Sequence, residues 1–316
     1  MFQGRILAPV TDPENLPDLR ARVRAESGGD YGRFRRSLAP DFGKVKRDIA
    51  MGYAALVMIL AFAGSFQGPL PGLIAAGLGA IGVGYAIAYL QLFIHEAAHY
   101  NLAPSRRAND RVADWLICWQ IGTSIAAYRR VHAEHHRHLG QADDTEISYR
   151  RALTGRFLGE MATGIHALRV FTGRAGGGGE RTLRPLLAGA AAHFALVAAL
   201  FALGAWPAAL AWLGGVGIFF PLFATLRQLL EHRPLRGQTG HGAVTRLFGT
   251  DLVSRSFGGA GFNRHLLHHI EPQVSYTRYD ALEAYLMRTS IAPALDARRT
   301  SYARAFADLL REGRHG

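Results

Sequence analysis

His95 and His99, in HEAAH, stand four residues apart in this chain, and two further clusters follow. His132, His135 and His136, in HAEHH, are at i, i+3 and i+4, and His265, His268 and His269, in HLLHH, repeat that pattern. On a helix such offsets bring side chains to one face, one turn apart. Neutral imidazole suits Zn, Cu, Fe and Ni, so three such clusters point to metal. His232 adds a ninth ring, with Gln228 one turn before it and Glu231 beside it. Nine nitrogen donors exceed the needs of one ion, and two metals sharing them is the economical reading. Among the fourteen histidines of the chain, the other five are read blandly. His138 is a supporting or solvent-facing residue, His193 a hydrogen-bonding group between spans, and His166, His241 and His315 surface residues. A carboxylate that accepts the second ring N–H orients a ligating imidazole. Glu96, Glu134, Asp143, Asp144, Glu146 and Glu231 are candidates for that role, with Glu231 and Asp144 the preferred pair.

These clusters need elements that carry them to one place. The chain has 316 residues, 49% of them hydrophobic, and a formal net charge of +12. A nucleic-acid binder spreads its basic residues over a face, whereas a membrane protein segregates them outside the bilayer. No Lys or Arg occurs between Arg47 and Arg106, or between Arg184 and Arg227. Each window holds two apolar runs: Ile49–Phe66 and Gly72–Ile94, then Leu186–Leu203 and Trp206–Leu226. A bilayer core needs roughly 20 helical residues, so the expectation is an all-α membrane protein of four transmembrane helices in two hairpins. Both hairpin turns lack Lys and Arg, which puts the termini and the middle loop in the cytoplasm. All the histidine clusters then fall at one depth, in a cytoplasmic helical cap. Residues 1–47 read as a cytoplasmic extension, 48–290 as the membrane domain and 291–316 as a cytoplasmic tail. Arg111–Tyr128 reads as one amphipathic interfacial helix with Trp115, Leu116 and Trp119 on a face, and Gly176–Gly179 as a flexible link. Cys118 is the only cysteine, which excludes an intrachain disulfide and a Cys-ligated zinc or iron–sulfur site.

The arrangement resembles the membrane fatty acid desaturase superfamily, whose three histidine boxes match His95–His99, His132–His136 and His265–His269. The third box fits in its surroundings too. Asn263, His265, Leu266, His268, His269, Ile270, Pro272 and Val274 look like the family's N-x-H-L-x-H-H-L-x-P-x-V. The resemblance covers roughly residues 50–285. It implies two iron ions, O2 as co-substrate, and abstraction of hydrogen from an unactivated C–H bond. It also implies a ligand after the fourth span, matched by His232, and an amide one turn earlier that holds a metal-bound water, a place occupied by Gln228. HEAAH has three intervening residues, as in many acyl-lipid desaturases and ketolases, where acyl-CoA desaturases usually have four. Desaturation of an acyl chain of a membrane lipid is the leading expectation. Hydroxylation or ketolation of a lipid, a carotenoid or a small amino-acid-like molecule is the alternative.

Such a reaction draws electrons from outside. The chain has neither a Cys cluster nor an HPGG cytochrome b5 signature, so a separate ferredoxin, rubredoxin or cytochrome b5-like donor with its reductase is expected, steered by the basic face. The Ala/Arg/Gly-rich composition suggests a bacterial source and hence the inner membrane. HEAAH is also the HExxH pattern of zinc proteases, with Glu96 as general base. That reading leaves the second and third boxes unexplained. A metal transporter fits less well, because its sites lie near the bilayer midplane.

Overall fold

The computed structural model describes residues 16–141, 143–173, 183–233 and 245–313. The Gly176–Gly179 link, His241 and His315 lie outside the described residues. The described chain is helical, and a single β-bridge, between Leu247 and Arg299, is recorded.

Two short helices, α1 (Leu16–Ser27) and α2 (Gly29–Ser37), precede α3 (Phe42–Gly64). The Asp41 side chain caps α3 by accepting from the Lys44 N–H at 2.9 Å, as an N-cap carboxylate does. Next comes α4 (Pro69–Ala98), with Pro69 in its first turn, where no N–H is needed. Its 30 residues extend about 45 Å, enough to cross the hydrocarbon and carry the first box past it. Glycines let its neighbours approach closely. A Cβ on Gly52 would strike Leu90, and one on Gly84 would strike Phe219 and the Phe220 backbone.

The chain continues through α5 (Arg106–Leu116), α6 (Ile125–His138), α7 (Gly155–Ala162) and α8 (Ile165–Gly173) to α9 (Leu183–Ala202). The helical stretch α10 (Trp206–Glu231) widens into a π turn at Gly215–Phe219. Pro221 follows that turn, and its missing N–H explains the loosened backbone. Then come α11 (Leu252–Phe257), α12 (His265–Ile270), α13 (Tyr279–Leu286), α14 (Ala292–Asp296) and α15 (Tyr302–Gly313). Four helices, α3, α4, α9 and α10, are long and apolar enough to cross a membrane. Val57, Met58, Leu73, Leu187 and Phe194 stand exposed on them, an apolar surface that water would not favour and lipid would.

One reading of the sequence changes here. Arg111–Tyr128 is not one helix. It stops at Leu116, turns through Cys118–Ile121 and Gly122 (φ 60°), and restarts at Ile125, where the Ser124 hydroxyl caps α6. Trp115 is exposed, whereas Trp119 stacks toward Trp212 at 6.3 Å, so the two do not share a face. The described part of residues 1–47 packs on the rest of the protein. Leu16, Leu19, Val23 and Tyr31 join the main core, Arg20 donates to the Ile270 carbonyl at 2.6 Å, and Arg35 pairs with Glu271 at 3.0 Å. The C-terminal segment is likewise packed, with Tyr302 stacked on Phe248 at 3.8 Å.

Candidate metal centre

The first box sits at the end of α4, and the end is held firmly. Tyr100 adopts φ 63°, which terminates the helix, and its ring lies under the Arg129 guanidinium at 4.1 Å. The last carbonyls of a helix lack intrahelical partners. Here Arg129 Nε donates to Ala98 O at 3.1 Å and Asn109 Nδ2 to Ala97 O at 2.9 Å. Arg129 also pairs with Asp110 at 2.6 Å. Because Arg129 lies one turn before His132 on α6, one side chain joins the first box to the second. The third box follows Gly261 (φ 81°), where any Cβ would strike Tyr276 and Tyr279. It forms α12, whose residues are all buried. His232 ends α10.

These elements bring all nine nominated rings together, in two groups. The ligand atoms of His95, His99, His132, His136 and His268 lie within 4.8 Å of one another, as do those of His135, His232 and His269. His265 joins the second group, with its Nε2 2.8 Å from that of His232 and 3.1 Å from that of His269. In the first group, His132 Nε2 lies 3.0 Å from both His99 Nε2 and His136 Nε2, and His268 Nε2 is 2.8 Å from His136 Nε2. Two donors at right angles on one metal, each ~2.1 Å away, would sit about 3.0 Å apart. Neighbours in sequence divide between the groups: His136 from His135, and His268 from His269. That explains the paired histidines of the second and third boxes, since adjacent residues on a helix point about 100° apart.

The residues fit a metal on an observation of their own. Both ring nitrogens of His95 are buried without a hydrogen-bond partner, which costs about 1–3 kcal/mol unless something else satisfies them. Burial, and then the neighbouring imidazoles, hold His132, His136, His265, His268 and His269 well below the ordinary histidine range. Burial and Arg129 lower His99 to about 4. Neutral rings keep their lone pairs, as ligation requires.

The nominated supporting residues separate. Asp144 is buried and 2.8 Å from His135 Nδ1, and it accepts from Tyr149 Oη at 2.6 Å. Burial pushes its carboxyl up, but the bonds from His135 and Tyr149 outweigh burial and hold it at about 2. Glu231, nominated beside it, accepts from Tyr302 Oη at 3.0 Å and lies 3.7 Å from Arg227 Nε. Gln228 Nε2 donates to Glu146 at 3.0 Å. Glu96 is buried against Ser275 Oγ (3.2 Å) and the Tyr276 N–H (3.3 Å), an engagement that ill suits the general base of an HExxH protease. His138 meets Asp143 at 2.8 Å and Glu134 at 3.5 Å. His193 bonds Gln120 O at 3.1 Å and accepts from Trp212 Nε1 at 3.1 Å, so it serves between helices. His166, expected at the surface, is 5% exposed and packs edge-on against Phe157 at 4.9 Å, because α7 packs against α8, which carries it.

A cavity of about 310 Å³ opens beside both groups, touching His95, His132, His135, His232 and His265. Ile94, Ile121, Val170, Phe220 and Ala224 supply apolar wall, and Gln91, Glu146, Thr225, Arg227 and Gln228 supply polar wall. Arg129, Tyr149 and Glu271 were not singled out from sequence. Each works through a partner far away in the chain or on another element, and no local pattern marks it. None of the curated proteins matches this chain. The family model described as fatty acid desaturase matches residues 69–302. That span begins at the first residue of α4 and takes in all three histidine boxes, His232 and the cavity wall, and the chain belongs to the fatty acid desaturase family.

Proposed function

We propose that the protein is a membrane-bound, oxygen-dependent oxidoreductase that holds two iron ions and desaturates the acyl chain of a lipid. The observation that carries this reading is the pair of imidazole groups flanking one cavity. Iron held there would supply O2 activation and hydrogen abstraction from an unactivated C–H bond. The balance is one –CH2–CH2– unit, O2, two electrons and two protons giving –CH=CH– and two waters.

The chain's own residues support that chemistry in stated ways. Asp144 fixes the tautomer of His135, leaving Nε2 as the donor atom. Ile94, Phe220 and Ala224 give an alkyl chain apolar wall beside the rings, and a dry wall strengthens every electrostatic interaction inside it. Electrons come from a separate ferredoxin, rubredoxin or cytochrome b5-like donor with its reductase. We place the termini and the metal site on the cytoplasmic side of a bacterial inner membrane, with α3–α4 and α9–α10 as two hairpins, because both inter-helix turns lack Lys and Arg.

The polar part of the wall favours a second reading within the family, hydroxylation of a lipid, a carotenoid or a small amino-acid-like molecule. That reaction keeps one oxygen atom in the product and releases one water. Expression in a lipid-analysed host decides. Loss of two hydrogens from an acyl chain supports desaturation, and gain of one oxygen supports hydroxylation. Either product must vanish in His268→Ala, and purified protein carrying one zinc in place of two irons would sink both readings.

A further inference from the structure

We propose that α11 dips into the bilayer, with Leu252 and Val253 held among the acyl chains of the leaflet on the side of the histidine groups. Both side chains stand open on a six-residue helix, Leu252 84% and Val253 65% exposed. Neither belongs to one of the four long apolar helices. The inference uses those helices as spans and does not depend on the reaction.

Contacts with the spans fix the depth of α11. Lys46 and Arg47 stand exposed near the start of α3, and basic residues at the end of a span mark the edge of the hydrocarbon. Tyr89 Oη donates to Asp48 O at 3.2 Å, so that hydroxyl stands at the edge. Tyr85 and Tyr89 share a face of α4 one turn apart, which puts the Tyr85 hydroxyl about 5 Å further into the membrane. There it meets Ser256 Oγ of α11 at 2.7 Å.

The path of the chain agrees. The Phe248 N–H donates to Asn263 O at 2.7 Å, beside the third box. From that level the chain descends to Ser256 and then climbs along α4. A Cβ on Gly259 would strike Tyr89, and by Phe262 the ring is back beside His95 at 4.7 Å.

The faces of α11 agree as well. At about 100° per residue, Leu252, Ser256 and Val253 fall on one arc and Asp251 and Arg255 on another. The side that reaches down to Tyr85 is therefore the side that carries Leu252 and Val253. Ile81 and Leu78, exposed one and two turns below Tyr85 on α4, continue the same apolar surface. The surface that lipid covers on the spans thus extends onto α11, and the bilayer holds the approach to the third box at a fixed depth.

The test places a nitroxide on Val253→Cys, and separately on Leu252→Cys, in the full chain reconstituted in phosphatidylcholine–phosphatidylglycerol liposomes. Collisions with oxygen, which enters lipid, and with a water-soluble nickel chelate then report depth. Cys118 is buried, and wild-type protein treated with the label gives its background. Leu78→Cys is the lipid reference. Asp280→Cys is the water reference, because that side chain is 91% exposed and the nearby Thr277 Oγ1 accepts from the Asp41 N–H, on the polar side of Lys46. Both labels on α11 should lie about 5–10 Å below the phosphates, as apolar residues of an interfacial segment do. Nickel access equal to that at residue 280 overturns the proposal. Exclusion of both reagents also overturns it, because protein, such as a second copy of the chain, would then cover the face. Exposed positions tolerate replacement within about 0.5 kcal/mol, and either label suffices where the other variant fails to fold. A nickel-accessible label at Leu78 would remove the span and the proposal together, whereas loss of turnover would touch only the oxidoreductase reading.

Discussion

His135 and His95 occupy different groups of the same centre and are supported in different ways. One nitrogen of His135 meets the buried Asp144 carboxylate at 2.8 Å, whereas neither nitrogen of His95 has a hydrogen-bond partner. The contrast extends to exposure. The described rings of the second group are all buried, and His99 and His136 of the first are partly exposed. A carboxylate behind an imidazole fixes its tautomer and raises its basicity. His135 of the second group is therefore oriented by charge, and the end of α4 that carries His95 and His99 by the backbone clamp that Arg129 places on it. The lesson is that two groups of imidazoles in one chain are not supported equally, even when the same boxes feed both.

The largest effect that can break this picture comes from deleting a ring. On the proposed two-iron reading, His268→Ala should lower iron from two per chain to one and reduce product to the host background, since His268 belongs to the first group alone. His269→Ala should remove the other iron. Metal analysis of the two purified variants checks both, and loss of both irons from either one would mean that the groups do not bind independently.

Asp144→Asn should come next. The amide keeps the shape and can still accept from His135 but loses the charge, so metal affinity should fall about 10–100-fold at one site only. A chelator titration that is biphasic in the variant, with one phase matching the wild-type protein, is the expected record. A uniform weakening of both phases would erase the distinction between the groups. Arg129→Lys should be milder. Lysine cannot reach Ala97 O, Ala98 O and Asp110 together as the guanidinium does, and lost hydrogen bonds to a charged group in a half-buried setting cost about 1–2 kcal/mol. Thermal unfolding should show that loss, and iron should be released more readily from the first group.

Sequence carries the centre because ligand spacing is a local property. The i, i+4 spacing of His95 and His99, and the i, i+3, i+4 pattern of the other boxes, are written within single helices. The long apolar runs are legible for the same reason. What escaped depends on contacts between distant residues. The break after Leu116 is held by side chains elsewhere, with Gln91 taking Ile117 O and Tyr53 taking Leu116 O. His166 looked like a surface residue because the helices that bury it are amphipathic and short. The docking of α1 and α2 turns on Glu271, which accepts from Tyr31 at 3.0 Å and Arg35 at 3.0 Å, pairs more than two hundred residues apart in the chain.

His193 supplies the smallest effect and the control for the whole comparison. It is an imidazole within a candidate span, of the same chemical type as the nine, yet its two nitrogens are used by Gln120 O and Trp212 Nε1. His193→Phe would remove both bonds and leave the Trp212 N–H and the Gln120 carbonyl to find other partners. Polar contacts between membrane helices are worth about 0.6 kcal/mol on average and up to ~1.7 kcal/mol, so the loss of stability should fall in that range. Both irons should remain, with chelator phases unchanged, because no ring of either group touches His193 among the recorded contacts. A variant that lost iron would show that the centre depends on the packing of α9 and α10 as well as on its own clamps, and the division of support between Asp144 and Arg129 would then be incomplete.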